Sequence, residues 1–124
     1  MPACLLDKER SPSFTSAVSA LRERFPNIDN DLDQIWVDVA TDHRNARGAE
    51  SIPKFNDTVF KYRTKCSDMN RGSRGGYRII AYYRKETNVL YPIFIYHKAD
   101  QSDINVKETT KQVNELLGAL EESK

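Results

Sequence analysis

Residues 71–98 decide the fold of this chain, and they read RGSRGGYRIIAYYRKETNVLYPIFIYHK. A basic turn broken by glycines leads into an aromatic-rich segment whose alternation predicts a strand over 77–84. The polar turn at 85–88 returns the chain as an antiparallel partner over 89–96, which ends on Tyr96-His97-Lys98. Pro92 has no amide hydrogen to donate to a sheet, so it predicts an edge position or a bulge in this second strand.

The segment before this hairpin, residues 58–66, also alternates and predicts a third strand. Within each of the two strands, alternation places the cations on a single face. These cations are Lys61, Arg63 and Lys65 in the strand over 58–66, and Arg78 and Arg84 in the strand over 77–84. A row of lysines also protects an exposed sheet edge from aggregation, so a binding role is one of two interpretations of the row.

Three helices are expected around this sheet. The first begins at Ser11-Pro12, where proline at the first helical position loses no hydrogen bond, and it ends before residue 26. A second begins at residue 29 or 30, and a third begins at Asn105, with Glu108 completing a pattern like a capping box. The residues expected to form their buried stripes are Phe14, Val18, Leu21 and Phe25, then Leu32, Ile35, Trp36 and Val39, then Val113, Leu116, Leu117 and Leu120.

The predicted order of elements is a weak strand, two helices, three strands and a helix, which is an α+β domain with a small antiparallel sheet. We expect a single domain over residues 1–124, since this length buries a modest core. Residues 3–10 are either a short edge strand or a loose terminus. The polar stretch 41–54 is expected to be a loop, with His43 exposed to solvent.

Charge is distributed unevenly along the chain although the net charge is only +1. Residues 1–53 hold six Lys and Arg against nine Asp and Glu (−3), residues 54–98 hold ten against three (+7), and residues 99–124 hold three against six (−3). A basic middle on an acidic scaffold suggests a local site for a polyanion, although a solvated basic face has the same composition.

No apolar run is long enough to span a membrane, and no signal pattern is visible at the N-terminus, so we expect no membrane partner. Two cysteines, Cys4 and Cys66, make no disulfide framework, and a reducing cytoplasm is the expected location. Neither cysteine has metal-ligand spacing to His43 or His97, so we expect no metal and no cofactor.

The basic middle holds groups that suit cleavage of RNA without a metal, which needs proton transfer and stabilisation of charge at phosphorus. Arg63 and Arg78 are suited to paired hydrogen bonds with phosphate. Lys61 and Lys65 supply further charge, and His97 titrates near neutrality. Tyr96 is suited to donate a proton or to stack on a base. The glycine-rich turn, which carries Arg71 and Arg74, lacks the pattern of a nucleotide-binding P-loop and is expected to hold an RNA backbone.

The residues over about 58–120 resemble the RelE/HigB toxins of the RelE/ParE toxin–antitoxin superfamily. The segments that carry the resemblance are Lys61-Tyr-Arg63, the turn and strand from Arg71 to Ile80, and Ile95-Tyr96-His97-Lys98 followed by Asp103-Ile-Asn. The resemblance departs at Ser73-Arg74, where many relatives read Lys-Ser, and in the N-terminal segment.

The resemblance implies a RelE-like fold and the toxin of a type II toxin–antitoxin pair, an endoribonuclease that cuts mRNA, often on the ribosome, until a cognate antitoxin such as a HigA-like helix-turn-helix protein covers it. It implies catalytic roles for Arg78, Tyr96, His97, Lys98 and Arg63, and RNA-binding roles for Lys61, Lys65, Arg71, Arg74 and Arg84. Two alternatives remain open, a ParE-like toxin that poisons gyrase and an inactive relative that only binds its antitoxin.

Overall fold

The computed structural model describes residues 3–46, 48–69 and 76–122. Three helices and five strands follow one another in the order β1, α1, α2, β2, β3, β4, β5, α3. The helices are α1 (Pro12–Arg24), α2 (Ile28–Asp42) and α3 (Val106–Glu122). The strands are β1 (Leu5–Leu6), β2 (Glu50–Ser51), β3 (Val59–Thr64), β4 (Tyr77–Arg84) and β5 (Val89–His97). The α+β class is therefore as predicted.

The five strands form one mixed sheet in the order β1-β5-β4-β3-β2. The pairs from β2 to β5 are antiparallel, as expected, whereas β1 pairs with β5 in parallel, so the prediction of a wholly antiparallel sheet needs this correction. Residues 3–10 supply the short edge strand, which was one of the two alternatives. Parallel pairing requires a long connection between the two strands, and α1, α2 and β2–β4 lie between β1 and β5 along the chain.

Each face of the sheet has its own apolar core because the strands alternate. Helices α1 and α2 cover one face, where Phe60, Tyr62, Ile79 and Ile95 are buried. Helix α3 covers part of the other face through Val113, Leu116 and Leu120, which pack with residues such as Ile80 and Ile93. We call these the two-helix face and the α3 face. The cations of β3 and β4 are on strand positions that alternate onto the α3 face.

The helix boundaries follow the signals in the sequence with one difference in chemistry. Asn105 Oδ1 accepts a hydrogen bond from the amide of Glu108 at 3.1 Å, as a cap at the start of α3 should. Ser11 precedes α1 but makes no capping bond with its side chain. Its hydroxyl lies 2.9 Å from that of Ser13, which donates to the carbonyl of Ile93 and ties α1 to β5.

The segment 41–54 is more ordered than expected, since α2 continues to Asp42 and β2 lies at Glu50–Ser51. The prediction that His43 is exposed is wrong, because only 4% of its surface is accessible. Its ring lies 4.2 Å from that of Tyr83, and its Nδ1 is 3.3 Å from the hydroxyl of Tyr62. Burial lowers the pKa of His43, and nearby Arg44 lowers it further.

Among the described residues, none of the helices combines the length and the apolar character that crossing a bilayer requires.

Candidate functional site

Three of the predicted site residues meet on the α3 face at the ends of three strands. Arg78 in β4 lies opposite Arg63 in β3 and opposite Tyr96 in β5. Side chains in directly opposed positions of an antiparallel pair are about 5 Å apart at Cβ. The structure therefore brings Arg63, Arg78 and Tyr96 into one row across the sheet.

Arg78 is the most unusual member of this row because it is a buried cation, with 6% of its surface accessible. Its Nη1 donates to the carbonyl of Tyr77 at 3.3 Å. Burial lowers the pKa of Arg78, and the like charge of Arg63 lowers it further. Like charges on opposed positions of a sheet destabilise the fold, so this pair is suited to an anion between the two guanidinium groups.

Tyr96 is also buried, and desolvation raises its pKa to about 12, with a contribution from the negative charge of Asp103. Its hydroxyl is therefore protonated at neutral pH. A protonated phenol next to an arginine row can donate a hydrogen bond or a proton to an oxygen atom, and it cannot act as a base.

Lys61, the next cation along β3, is held between two carboxylates. Its Nζ lies 3.2 Å from Oδ1 of Asp103 and 3.7 Å from Oε1 of Glu50, which is its partner across the β2–β3 pair. The amide of Ile104 and then Lys61 lower the pKa of Asp103. Asp103, which belongs to one of the segments that carry the resemblance, is therefore the ion-pair partner of Lys61.

Gly48 determines the position of Arg63. A Cβ atom at residue 48 would lie 2.7 Å from Nε and 2.9 Å from Cβ of Arg63, and the residue has φ +67°. Only glycine adopts this backbone readily and leaves that space empty. The loop that follows α2 is therefore packed against the arginine side chain, a contact that no sequence motif indicated.

The other predicted catalytic residues are not in this row. His97 has only 1% of its surface accessible and belongs to the two-helix face, where its ring stacks on Phe25 with centroids 4.9 Å apart. Its Nδ1 accepts a hydrogen bond from the amide of Ala99 at 3.0 Å. Lys98 is exposed, and its Nζ donates to the carbonyl of Ser102. The structure therefore separates His97 from Arg78 and Tyr96 by the thickness of the sheet.

The residues predicted to bind RNA are spread along the sheet. Lys65 is exposed just beyond the end of β3, and Arg84 is half-buried at the far end of β4 from Arg78. Arg71 and Arg74 lie outside the described residues.

One group of metal-ligating type occurs in the described part of the chain, formed by Asp31, Cys66 and Asp68. Asp31 accepts hydrogen bonds from the amide and the hydroxyl of Ser67 at 2.9 and 3.1 Å. Asp68 accepts two from Asn27, and the thiol of Cys66 donates to Tyr77. These hydrogen bonds attach the segment after β3 to the start of α2. They give both carboxylates hydrogen-bond donors, so the arrangement of this group needs no metal ion to explain it.

A cavity of about 250 Å³ lies beside the arginine row, between the β4–β5 hairpin and α3. Its wall includes Tyr96, Thr109 and Gln112, and the last two were not predicted as site residues. The signal was present in the sequence, since Thr109, Gln112, Val113 and Leu116 recur at helical spacing and place two polar residues on the buried stripe of α3.

No family model matches this chain, and no curated protein matches it.

Proposed function

We propose that this protein is the toxin of a RelE/HigB-type toxin–antitoxin pair and that it acts as a metal-independent endoribonuclease on mRNA. The observation that carries the proposal is the opposed pair of Arg63 and Arg78 next to the protonated Tyr96. This row combines two donors suited to the oxygens of a phosphodiester with one donor suited to a leaving oxygen.

The chemistry that this row supports is mainly stabilisation of charge. Two guanidinium groups can bond the non-bridging oxygens as the negative charge on phosphorus grows in the transition state. As the 2′-hydroxyl forms a bond to phosphorus and releases its proton to water, the bond from phosphorus to the 5′-oxygen breaks and Tyr96 can supply a proton to that oxygen. Water then returns a proton to the Tyr96 phenolate. His97, buried on the other face, has no part in this arrangement.

The basic strand surface also supports the proposal of an antitoxin. Residues 54–98 carry seven net positive charges, while the segments on either side each carry three net negative charges. An acidic segment laid across the α3 face would complement Arg63 and Arg78 and exclude RNA from them.

A second function is favoured by a separate observation. His97 lies in the core, and Lys61 is bound by Asp103 and Glu50, so two groups that could move protons are already engaged in structural contacts. This arrangement suits a relative that binds an antitoxin but does not cut RNA.

The purified chain and single variants, incubated with mRNA in the presence and absence of EDTA, test the proposal. We expect cleavage that EDTA does not inhibit, and a loss of about two orders of magnitude for Arg78→Ala, the usual effect of removing a transition-state donor. Arg78→Lys should recover only part of the rate because lysine lacks the paired donors. The control is Arg22→Ala, which removes an exposed cation of α1 that forms an ion pair with Asp29 of α2.

Two results would contradict the nuclease, and a third would contradict only its mechanism. An intact RNA with a strong antitoxin complex would favour the inactive relative, and DNA breaks that depend on gyrase, with mRNA intact in growing cells, would favour the ParE-like toxin. A folded Arg78→Ala variant that cuts at the parent rate would remove the arginine row from the mechanism.

A further inference from the structure

The cavity between the β4–β5 hairpin and α3 has the composition of a ligand site. Ile80, Phe94 and Ile104 contribute apolar walls, and the side chains of Tyr96 and Gln112 contribute polar groups. Sites for small planar ligands have this character, with apolar walls and a few polar groups that fix the orientation of the guest.

Two polar atoms at this cavity are buried and lack a partner. Within the part of the chain that the structure describes, neither the Tyr96 hydroxyl nor the Gln112 amide oxygen makes a hydrogen bond. Their residues have 4% and 8% of their surface accessible. A buried polar atom without a partner carries a free-energy cost, and a guest that can both donate and accept hydrogen bonds would remove it.

The charges around the cavity indicate which part of a nucleotide would enter. The cations Arg63 and Arg78 lie beside the cavity, and its lining contains one charged residue, Glu108, which is acidic. A phosphate is therefore favoured on the arginine row and disfavoured within the cavity. Because Tyr96 lines the cavity and is also the cross-strand neighbour of Arg78, the two regions are adjacent.

We infer that the cavity is a nucleobase subsite, in which Gln112 and Tyr96 bond the hydrogen-bonding edge of a base whose phosphate lies on Arg63 and Arg78. The inference rests on the proposed function for the position of the phosphate. It adds that the chain discriminates among bases, because a side-chain amide and a hydroxyl in fixed positions match some base edges and leave others without partners.

The test compares the binding of four nucleoside 5′-monophosphates with that of ribose 5-phosphate, which has the same phosphate but no base. The isotopically labelled full chain is titrated with each, and the side-chain amide resonances of Gln112 report on the cavity. We expect one mononucleotide to bind at least about tenfold more tightly than ribose 5-phosphate, as a matched set of base contacts does.

The Gln112→Met variant keeps the length of the side chain and removes its hydrogen-bonding groups. It should reduce that ratio to near one and leave the affinity for ribose 5-phosphate unchanged. Gln34→Met, the same substitution at an exposed position of α2, should behave like the parent. If Gln112→Met does not fold, Tyr96→Phe supplies the same comparison, and it should also lower the ratio.

Equal binding of all five compounds by the parent, or a ratio that survives in the folded cavity variant, would overturn the subsite and leave the cavity to solvent. These outcomes are separable from failure of the nuclease. Selective binding by a chain that does not cut RNA supports the subsite and rejects cleavage, whereas cleavage by a chain without base discrimination overturns the subsite alone.

Discussion

Replacing Arg78 with methionine should stabilise the protein, because the native side chain places a desolvated cation opposite Arg63. Removal of a buried charge in favour of an apolar side chain of similar volume contributes about 1–4 kcal/mol. Relief of the like-charge pair adds about 0.2–1 kcal/mol. Loss of the hydrogen bond to the Tyr77 carbonyl costs about 0.5–1.5 kcal/mol, and loss of the other contacts of Arg78 adds to this cost. These contributions sum to between about zero and about 4 kcal/mol in favour of the variant, and each gain of about 1 kcal/mol corresponds to a rise of about 4 °C in Tm.

Urea unfolding and thermal melts in a low-salt buffer without phosphate measure this gain. Inorganic phosphate should then narrow the difference, since phosphate at ten times its Kd would stabilise the parent by about 1.4 kcal/mol through binding to the folded state alone. Arg78→Met should gain none of that, whereas Arg22→Met should respond like the parent. A destabilised Arg78→Met protein, or equal stabilisation of parent and variant by phosphate, would show that Arg78 is a structural residue and refute the reasoning.

Three further predictions concern the stability of the fold. Since burial lowers the pKa of His43 in the folded protein, His43 takes up a proton at a higher pH in the unfolded chain than in the folded one. The contribution of His43 to the free energy of unfolding should therefore be fully present above a pH of about 6.5. Below that pH it should be lost by up to about 1.4 kcal/mol per pH unit. His43→Phe should remove that slope when urea midpoints at several pH values are compared. Gly48→Ala should cost about 1 kcal/mol or more from its positive φ and should weaken phosphate binding by displacing Arg63. Gly118→Ala, where nothing lies within 4 Å of the added carbon, should instead stabilise α3 by about 0.5–1 kcal/mol in the same melts.

Local chemistry was sufficient to predict most of the elements. Strand β4 begins and ends where alternation placed it, and β5 extends one residue beyond its predicted end, to His97. The buried stripe of α3 is as predicted at three of its four positions, since Val113, Leu116 and Leu120 are buried and Leu117 is partly buried. These signals are reliable because each depends on residues a few positions apart in the chain.

Tertiary contacts decided the features that were not predicted. The parallel pairing of β1 joins residues more than 80 positions apart, from Leu5 to Val89, and a two-residue strand carries no signal for its partner. His43 was expected in solvent because its neighbours in the sequence are polar, but it packs against Tyr83 and Phe60, which are distant in the chain. Burial of a single residue in a loop depends on what covers it, and periodicity contains no information on that.

In the candidate site, too, the features that depend on local sequence were predicted and those that depend on tertiary contacts were not. Alternation correctly grouped Lys61 with Arg63 on one face of β3 and Arg78 with Arg84 on one face of β4, because it concerns only the position of each residue within its own strand. That the two groups share the α3 face follows from the pairing of β3 with β4, which alternation does not predict. The ion pairs of Lys61 with Asp103 and Glu50 join three separate parts of the chain. They could not be derived from spacing, and neither could the packing of residue 48 against the arginine.

The choice between Tyr96 and His97 depends on one irregularity in β5. Strict alternation from Tyr91 and Ile93, which lie on the α3 face, would bring His97 to that face and turn Tyr96 away from it. The register shifts between Ile80 and Ala81, which pair with Phe94 and Pro92, so that β5 has one extra residue at this point. A bulge of this kind reverses the alternation beyond it.

Beyond the bulge, Tyr96 is therefore opposite Arg78, and His97 is opposite Tyr77 in the core of the two-helix face. Pro92 had indicated either an edge or a bulge, and β5 lies between β1 and β4, so the bulge is the alternative that the structure confirms. A single inserted residue thus selects a phenol with a raised pKa, rather than an imidazole, as the neighbour of the arginine row. Any catalysis at this row must accordingly depend on a proton donor and on fixed positive charge, since the imidazole of His97 lies on the other side of the sheet.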